Sequence, residues 1–173
     1  MSKLSVVILL TVLLGSTAYM GYSFNRNQPE KEIKTAPNTL PDFRLRDIKG
    51  TEYSIHELAG NKPTLFVYFS STCHLCQEEL GTLSKRINEF KDYNLIFTTV
   101  QPVEEMVGFV ASLGIAEKSN VHFLLDANME VASFYNIRSV PSIYCYNSKK
   151  ELMAEYSGIT DLDLLKEKLS QGK

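Results

Sequence analysis

The stretch TLFVYFSSTCHLCQEEL, Thr64–Leu80, passes from an unbroken apolar run through a short hydroxyl-rich loop into a Cys-x-x-Cys pair. Thr64–Phe69 is dense in β-branched and aromatic residues, the composition of a strand buried on both faces. Beyond the loop, Leu80, Leu83, Ile87 and Phe90 recur at spacings of three and four, one apolar stripe of a helix. Extended backwards, the stripe takes in Cys76. Cys76 therefore faces the core, and Cys73 falls at the start of the helix. There the first backbone N–H groups lack intrahelical partners, and the positive end of the helix dipole favours an anion. A thiolate is such an anion: thiols in this setting have pKa values from about 3.5 to about 7, against about 8.5 for a free cysteine. The spacing predicts an exposed attacking sulfur at Cys73 and a sheltered resolving one at Cys76.

Other uses of such a pair fit less well. A structural zinc site needs a second ligand pair, whereas His56, His74 and His122 are scattered and Cys145 stands alone. Haem attachment needs His directly after the second cysteine, where Gln77 stands. No methionine or histidine cluster supports a copper chaperone. A purely structural bridge closing so short a loop constrains the unfolded chain little. No metal ligand set and no cofactor are expected. Cys145 alternates with Tyr144 and Tyr146 and reads as a small buried core residue.

Around this centre the chain of 173 residues reads as one domain with a membrane-directed leader. Leu4–Asn25 carries no charge. Leu4–Phe24 reaches about 30 Å as a helix, enough to span a bilayer as a signal anchor, and Ser16-Thr17-Ala18 offers the alternative of a cleaved signal peptide. Lys and Arg are denser after this segment than before it, opposite to the positive-inside pattern, but long following domains translocate largely regardless of charge. Residues 1–24 are thus expected to direct export, 25–39 (polar, charged, proline-punctuated) to form a flexible tether, and 40–173 to fold. The net charge of −2 and the lack of a basic stripe argue against nucleic acid.

In the domain, Phe43–Ile48 and Thr51–Ile55 alternate around Lys49-Gly50 as a hairpin. Leu95–Val100, Val121–Leu125, Ser142–Tyr146 and Leu152–Tyr156 are further strands, the last two an antiparallel pair. Met106, Phe109, Val110 and Leu113 make a helix stripe ending at Gly114. Met129–Tyr135 is a short helix, and Thr160-x-x-Asp163 opens a last helix as a capping box. Alternating strands and helices imply an α/β fold with a mostly parallel sheet.

KPTLFVYFSSTCHLCQEEL (Lys62–Leu80), followed much later by YNIRSVPSIY (Tyr135–Tyr144), resembles the thioredoxin superfamily. LPDFRLRDIKGTEYSIHEL (Leu40–Leu58) resembles the leading hairpin of its exported TlpA/ResA-like branch. The resemblance implies a three-layer α/β/α fold with a central mixed sheet and an added N-terminal hairpin. It also implies a redox-active Cys73–Cys76 disulfide and a cis Val140–Pro141 peptide facing the cysteines. Proline is the residue for which cis is cheap, and it removes an N–H beside the sulfur. The preceding backbone can then pair with an extended substrate. Glu79 matches an acid that ResA-like members carry at that offset, placed to exchange a proton with Cys76; the competing reading is a solvated helix-face carboxylate. His74 and Leu75 fall where a substrate would touch. The branch often has Trp before the first cysteine, where Thr72 stands, and thioredoxins carry a buried acid on the preceding strand, which Thr64–Phe69 lacks.

The expectation is an exported or membrane-anchored thiol–disulfide oxidoreductase that reduces disulfides of protein substrates such as apocytochrome c, recharged by a membrane redox donor. Two alternatives stand beside it: a peroxiredoxin-like peroxidase, and a redox-inert binding or metallochaperone module on the same fold. The peroxidase pattern P-x₃-T-x₂-C is not matched around Cys73.

Overall fold

A computed structural model describes residues 37–173. The expected leader, residues 1–24, and most of the expected tether lie outside the described residues. Among those described, no helix is long and apolar enough to cross a membrane.

The apolar run becomes β3 (Thr64–Tyr68), buried at every position. It is central because both its edges are paired, in parallel with β4 (Asn94–Thr99) and antiparallel with β6 (Ser142–Tyr146). With β1 (Arg44–Asp47), β2 (Glu52–Ser54), β5 (Val121–Leu125) and β7 (Leu152–Ser157), the sheet order is β2-β1-β5-β4-β3-β6-β7. Side chains alternate along β3, so each face feeds its own core. Leu65 and Val67 pack under α2 (His74–Lys85), α3 (Val103–Leu113) and α5 (Leu162–Gln171), with Leu80, Val110 and Leu165. Phe66 and Tyr68 face the other way, towards α1 (Ile55–Ala59) and α4 (Glu130–Phe134), with Ile55, Val131 and Leu40. The result is the three-layer α/β/α arrangement.

Several local readings need correction. The sheet is mixed rather than mostly parallel, because only β3–β4 and β4–β5 pair in parallel. β6 starts beside the C-terminal end of β3, Ser142 opposite Tyr68. Five-residue α4 spans only about 7.5 Å, too short to carry the chain back along a strand, so β6 runs antiparallel. The second hairpin strand stops at Ser54 rather than Ile55. Ser54 Oγ accepts from Glu57 N–H while the Glu57 carboxylate accepts from Ser54 N–H, and this capping box opens α1. The stripe from Cys76 to Phe90 is not one helix. Arg86 leaves helical geometry and binds Glu89 and Asp163, and Ile87–Phe90 forms a 3₁₀ turn. Its repeat of three keeps Ile87 and Phe90 on one buried side. The last helix is capped by Asp161, which accepts from Asp163 N–H, and not by Thr160. Gly114 caps α3 at φ 65°, the left-handed conformation its place after the stripe predicts.

Asp126, just past β5, is fully buried. It accepts from Tyr68 O–H at 3.0 Å, Val131 N–H at 3.1 Å and Ala132 N–H at 2.9 Å, tying the start of α4 to the end of β3. Tyr68→Phe removes one donor and should cost about 1 kcal/mol, whereas Asp126→Ala strands two buried donors and a part-buried one and should cost roughly 3 kcal/mol. Equilibrium denaturation of the two variants checks that order; equal losses would contradict it.

Candidate active site

β3 delivers the chain to the site. Phe69 N–H donates to Thr98 O, so the residue after the strand still follows β4. Ser70–Thr72 then turns into α2. Cys73 occupies the N-cap in extended conformation (φ −82°, ψ 120°), with no side-chain cap bond. Its sulfur is half-buried and sits against the amides of the first helical turn. Partial burial pushes this thiol up, but the N–H of Cys76, the Cys76 thiol and the N–H of Leu75 outweigh it and hold Cys73 below the ordinary cysteine value. In its thiol form Cys73 Sγ donates to Val140 O at 3.5 Å. The Val140–Pro141 peptide is cis, as the resemblance implies.

One turn on, Cys76 has no exposed surface. Its sulfur accepts from Ser70 N–H at 3.5 Å. Burial, then the neighbouring Cys73 and the charge of Glu79, push its thiol up to about 12 against the opposing pull of Ser70 N–H. Both cysteines are thiols here. Two sulfurs three residues apart therefore differ sharply in their readiness to ionise.

Glu79 is 4% exposed, unlike its exposed neighbour Glu78, so the solvated helix-face reading does not hold. Its Oε2 accepts from Thr160 N–H at 3.0 Å. Its buried Oε1 has no hydrogen-bond partner among the described residues. Burial raises its pKa most; the Thr160 amide opposes this, while the charges of Glu78 and Asp161 add to it. The loop carrying Thr160 also reaches the proline, because Gly158 N–H donates to Pro141 O at 2.9 Å.

Cys73, Cys76, Glu79, Val140 and Pro141 thus converge. His74 and Leu75 lie on the exposed side of the first turn, Leu75 at 44%. Cys145 is buried in β6 opposite Leu65 and Ala154. Among the described residues no three His, Cys, Asp or Glu side chains are grouped to hold a metal ion. Sequence reasoning missed Thr160, whose contribution is its backbone and carries no side-chain signal. It also missed Ser70, whose N–H meets Cys76 Sγ.

The family model described as the AhpC/TSA family matches residues 37–154. The chain belongs to the AhpC/TSA family. A curated relative, the thiol-disulfide oxidoreductase ResA of Halalkalibacterium halodurans, is 23% identical over 159 residues, 90% of this AhpC/TSA chain and 85% of that protein. Among solved structures, MTB DsbF superposes with a TM-score of 0.68 at 16% identity, covering 80% of this chain and 99% of that one. Peroxidoxin BcpB from Mycobacterium tuberculosis gives a TM-score of 0.68 at 16% identity, covering 80% and 97%. These likenesses establish the thioredoxin-like fold of this AhpC/TSA chain.

Glu79 binds its proton more tightly in the folded protein than unfolded, where carboxylates titrate near pH 4.3, so the stability this group contributes is fullest below about pH 4 and is lost as pH rises through the folded value. Glu79→Gln keeps an acceptor for Thr160 N–H and removes that loss. Its melting temperature should match the parent near pH 4 and exceed it at pH 8, the gap opening as pH rises through the folded value. A difference that is constant with pH, or larger in acid, would contradict the buried-carboxyl assignment.

Proposed function

We propose that the protein is an extracytoplasmic thiol–disulfide oxidoreductase that reduces disulfides in other proteins. The observation that carries this reading is the contrast between the two sulfurs: Cys73 is ionisable and reachable beside Val140 O, and Cys76 is buried behind it. The Cys73 thiolate attacks one sulfur of a substrate disulfide, forming a mixed disulfide and releasing the other substrate sulfur as thiolate. Cys76 then loses its proton and attacks Cys73 Sγ. The Cys73–Cys76 disulfide forms, the second substrate thiolate leaves, and the substrate has gained two electrons. Glu79 Oε1, buried and open, is the acceptor for the Cys76 proton. A dithiol donor in the membrane returns the pair to its reduced state.

An extended substrate strand would pair with the backbone at Val140. Leu75 and Ile159, each 44% exposed, offer it apolar contacts. Ile159 lies between Gly158, bonded to Pro141, and Thr160, bonded to Glu79. The export assignment rests on the uncharged stretch Leu4–Asn25, read as a signal anchor or signal peptide. The likeness to BcpB makes a peroxidase the natural competitor, but Phe66 and Ser70 stand where P-x₃-T-x₂-C needs Pro and Thr.

Cys76→Ala should accumulate mixed disulfides through Cys73 when the reduced protein meets disulfide-bearing exported proteins. Non-reducing electrophoresis should show them, and dithiothreitol should dissolve them. An unmodified Cys73 thiol with no trapped species would overturn the reading.

A further inference from the structure

The loop between β3 and α2 is held from outside by Gln101, which follows β4. Gln101 Oε1 accepts from Ser71 N–H at 2.5 Å. The orientation of its carboxamide is set by its other end, where Nε2 donates to Glu105 Oε2 at 3.1 Å. An oxygen must face Ser71 and a nitrogen must face Glu105. The backbone of Gln101 is tied in turn, its N–H donating to Thr99 Oγ1 at 3.3 Å. From the other side Gln77 Nε2 donates to Ser71 O at 2.8 Å, and Ser71 Oγ donates to Glu105 O at 3.3 Å. Ser71 is 6% exposed.

The consequence lies one peptide back. Ser71 N–H and Ser70 C=O belong to one planar unit. Its N–H is fixed by Gln101, and its C=O accepts from Cys73 N–H at 3.2 Å. Across the Ser70 Cα from that plane, Ser70 N–H of the preceding peptide points at Cys76 Sγ at 3.5 Å. In the reduced dithiol, the Cys73 thiol also faces Cys76. There Cys76 is the donor and Cys73 the acceptor, so Cys73 does nothing to stabilise an anion on Cys76. Ser70 N–H then remains to stabilise the Cys76 anion in a site closed to water.

We propose that Gln101 is a positioning residue for the resolving step: through the Ser70–Ser71 peptide it holds Ser70 N–H on Cys76 Sγ while that sulfur attacks Cys73. The first attack does not depend on it, because the Cys73 thiolate draws on the amides of Leu75 and Cys76 inside α2. This rests on the reading of Cys73 as attacker and Cys76 as resolver.

Ellman's reagent separates the two steps on the full-length reduced chain. Attack by Cys73 releases one thionitrobenzoate and leaves the second on Cys73; attack by Cys76 on Cys73 Sγ releases that second one. Stopped-flow absorbance of Gln101→Leu should show an unchanged first phase and a second phase slowed about three- to ten-fold, the range one hydrogen bond supports. Gln101→Glu alone keeps the acceptor for Ser71 N–H but sets two carboxylates against each other. Combined with Glu105→Gln it restores a donor–acceptor pair of reversed polarity, and the second phase should return to within about two-fold of the parent. An unchanged second phase in Gln101→Leu, equal slowing of both phases, or no recovery in the swapped pair would each overturn the proposal. A parent protein that releases no second equivalent would remove the resolver reading itself, and this inference with it.

Discussion

The beginning of one helix sets the unequal ionisation of two sulfurs in this protein. The amides of Leu75 and Cys76 have no helical acceptor, and the side chain at the N-cap is a sulfur rather than the usual hydroxyl or carboxylate. An anion at Cys73 is therefore partly solvated by the protein itself. The same geometry puts Cys76 one turn inside, where no such compensation exists and burial dominates. Both effects follow from where the helix starts.

That starting point depends on the sheet. β3 is buried on both faces and paired on both edges, so its end is fixed in space, and the loop leaving it has little freedom. β6 arrives antiparallel at the same end and brings Val140 O to Cys73. β7 returns to that end too, and its following loop reaches both Pro141 and Glu79. Three strand ends converge on two sulfurs.

Much of this was legible in the sequence, for identifiable reasons. β3 announced itself because a strand buried on both faces leaves an unbroken apolar run. The inward turn of Cys76 followed from a stripe at helical spacing, and the break of that stripe at Arg86 did not, since a 3₁₀ turn with a repeat of three preserves the same pattern. The antiparallel entry of β6 was hidden because it depends on how far a short helix can carry the chain. α1 was written in Ser54 and Glu57, but the alternating pattern before it masked the switch. Glu79 illustrates the harder limit: beside Glu78 it looked equally fit for solvent or for the core. Only the neighbouring loop, through the Thr160 amide, decides its burial. Contacts that use backbone atoms, such as Ser70 N–H on Cys76, leave no mark on composition at all.

The unequal ionisation of the two sulfurs is tested most directly by NMR titration of the cysteine β-carbon resonances in the reduced protein, assigned with Cys73→Ala and Cys76→Ala. Cys73 should titrate below the value of about 8.5 found for a free cysteine, with Cys76 still protonated well above it. Both resonances moving together near that free value, or Cys76 ionising first, would contradict the helix-terminus mechanism.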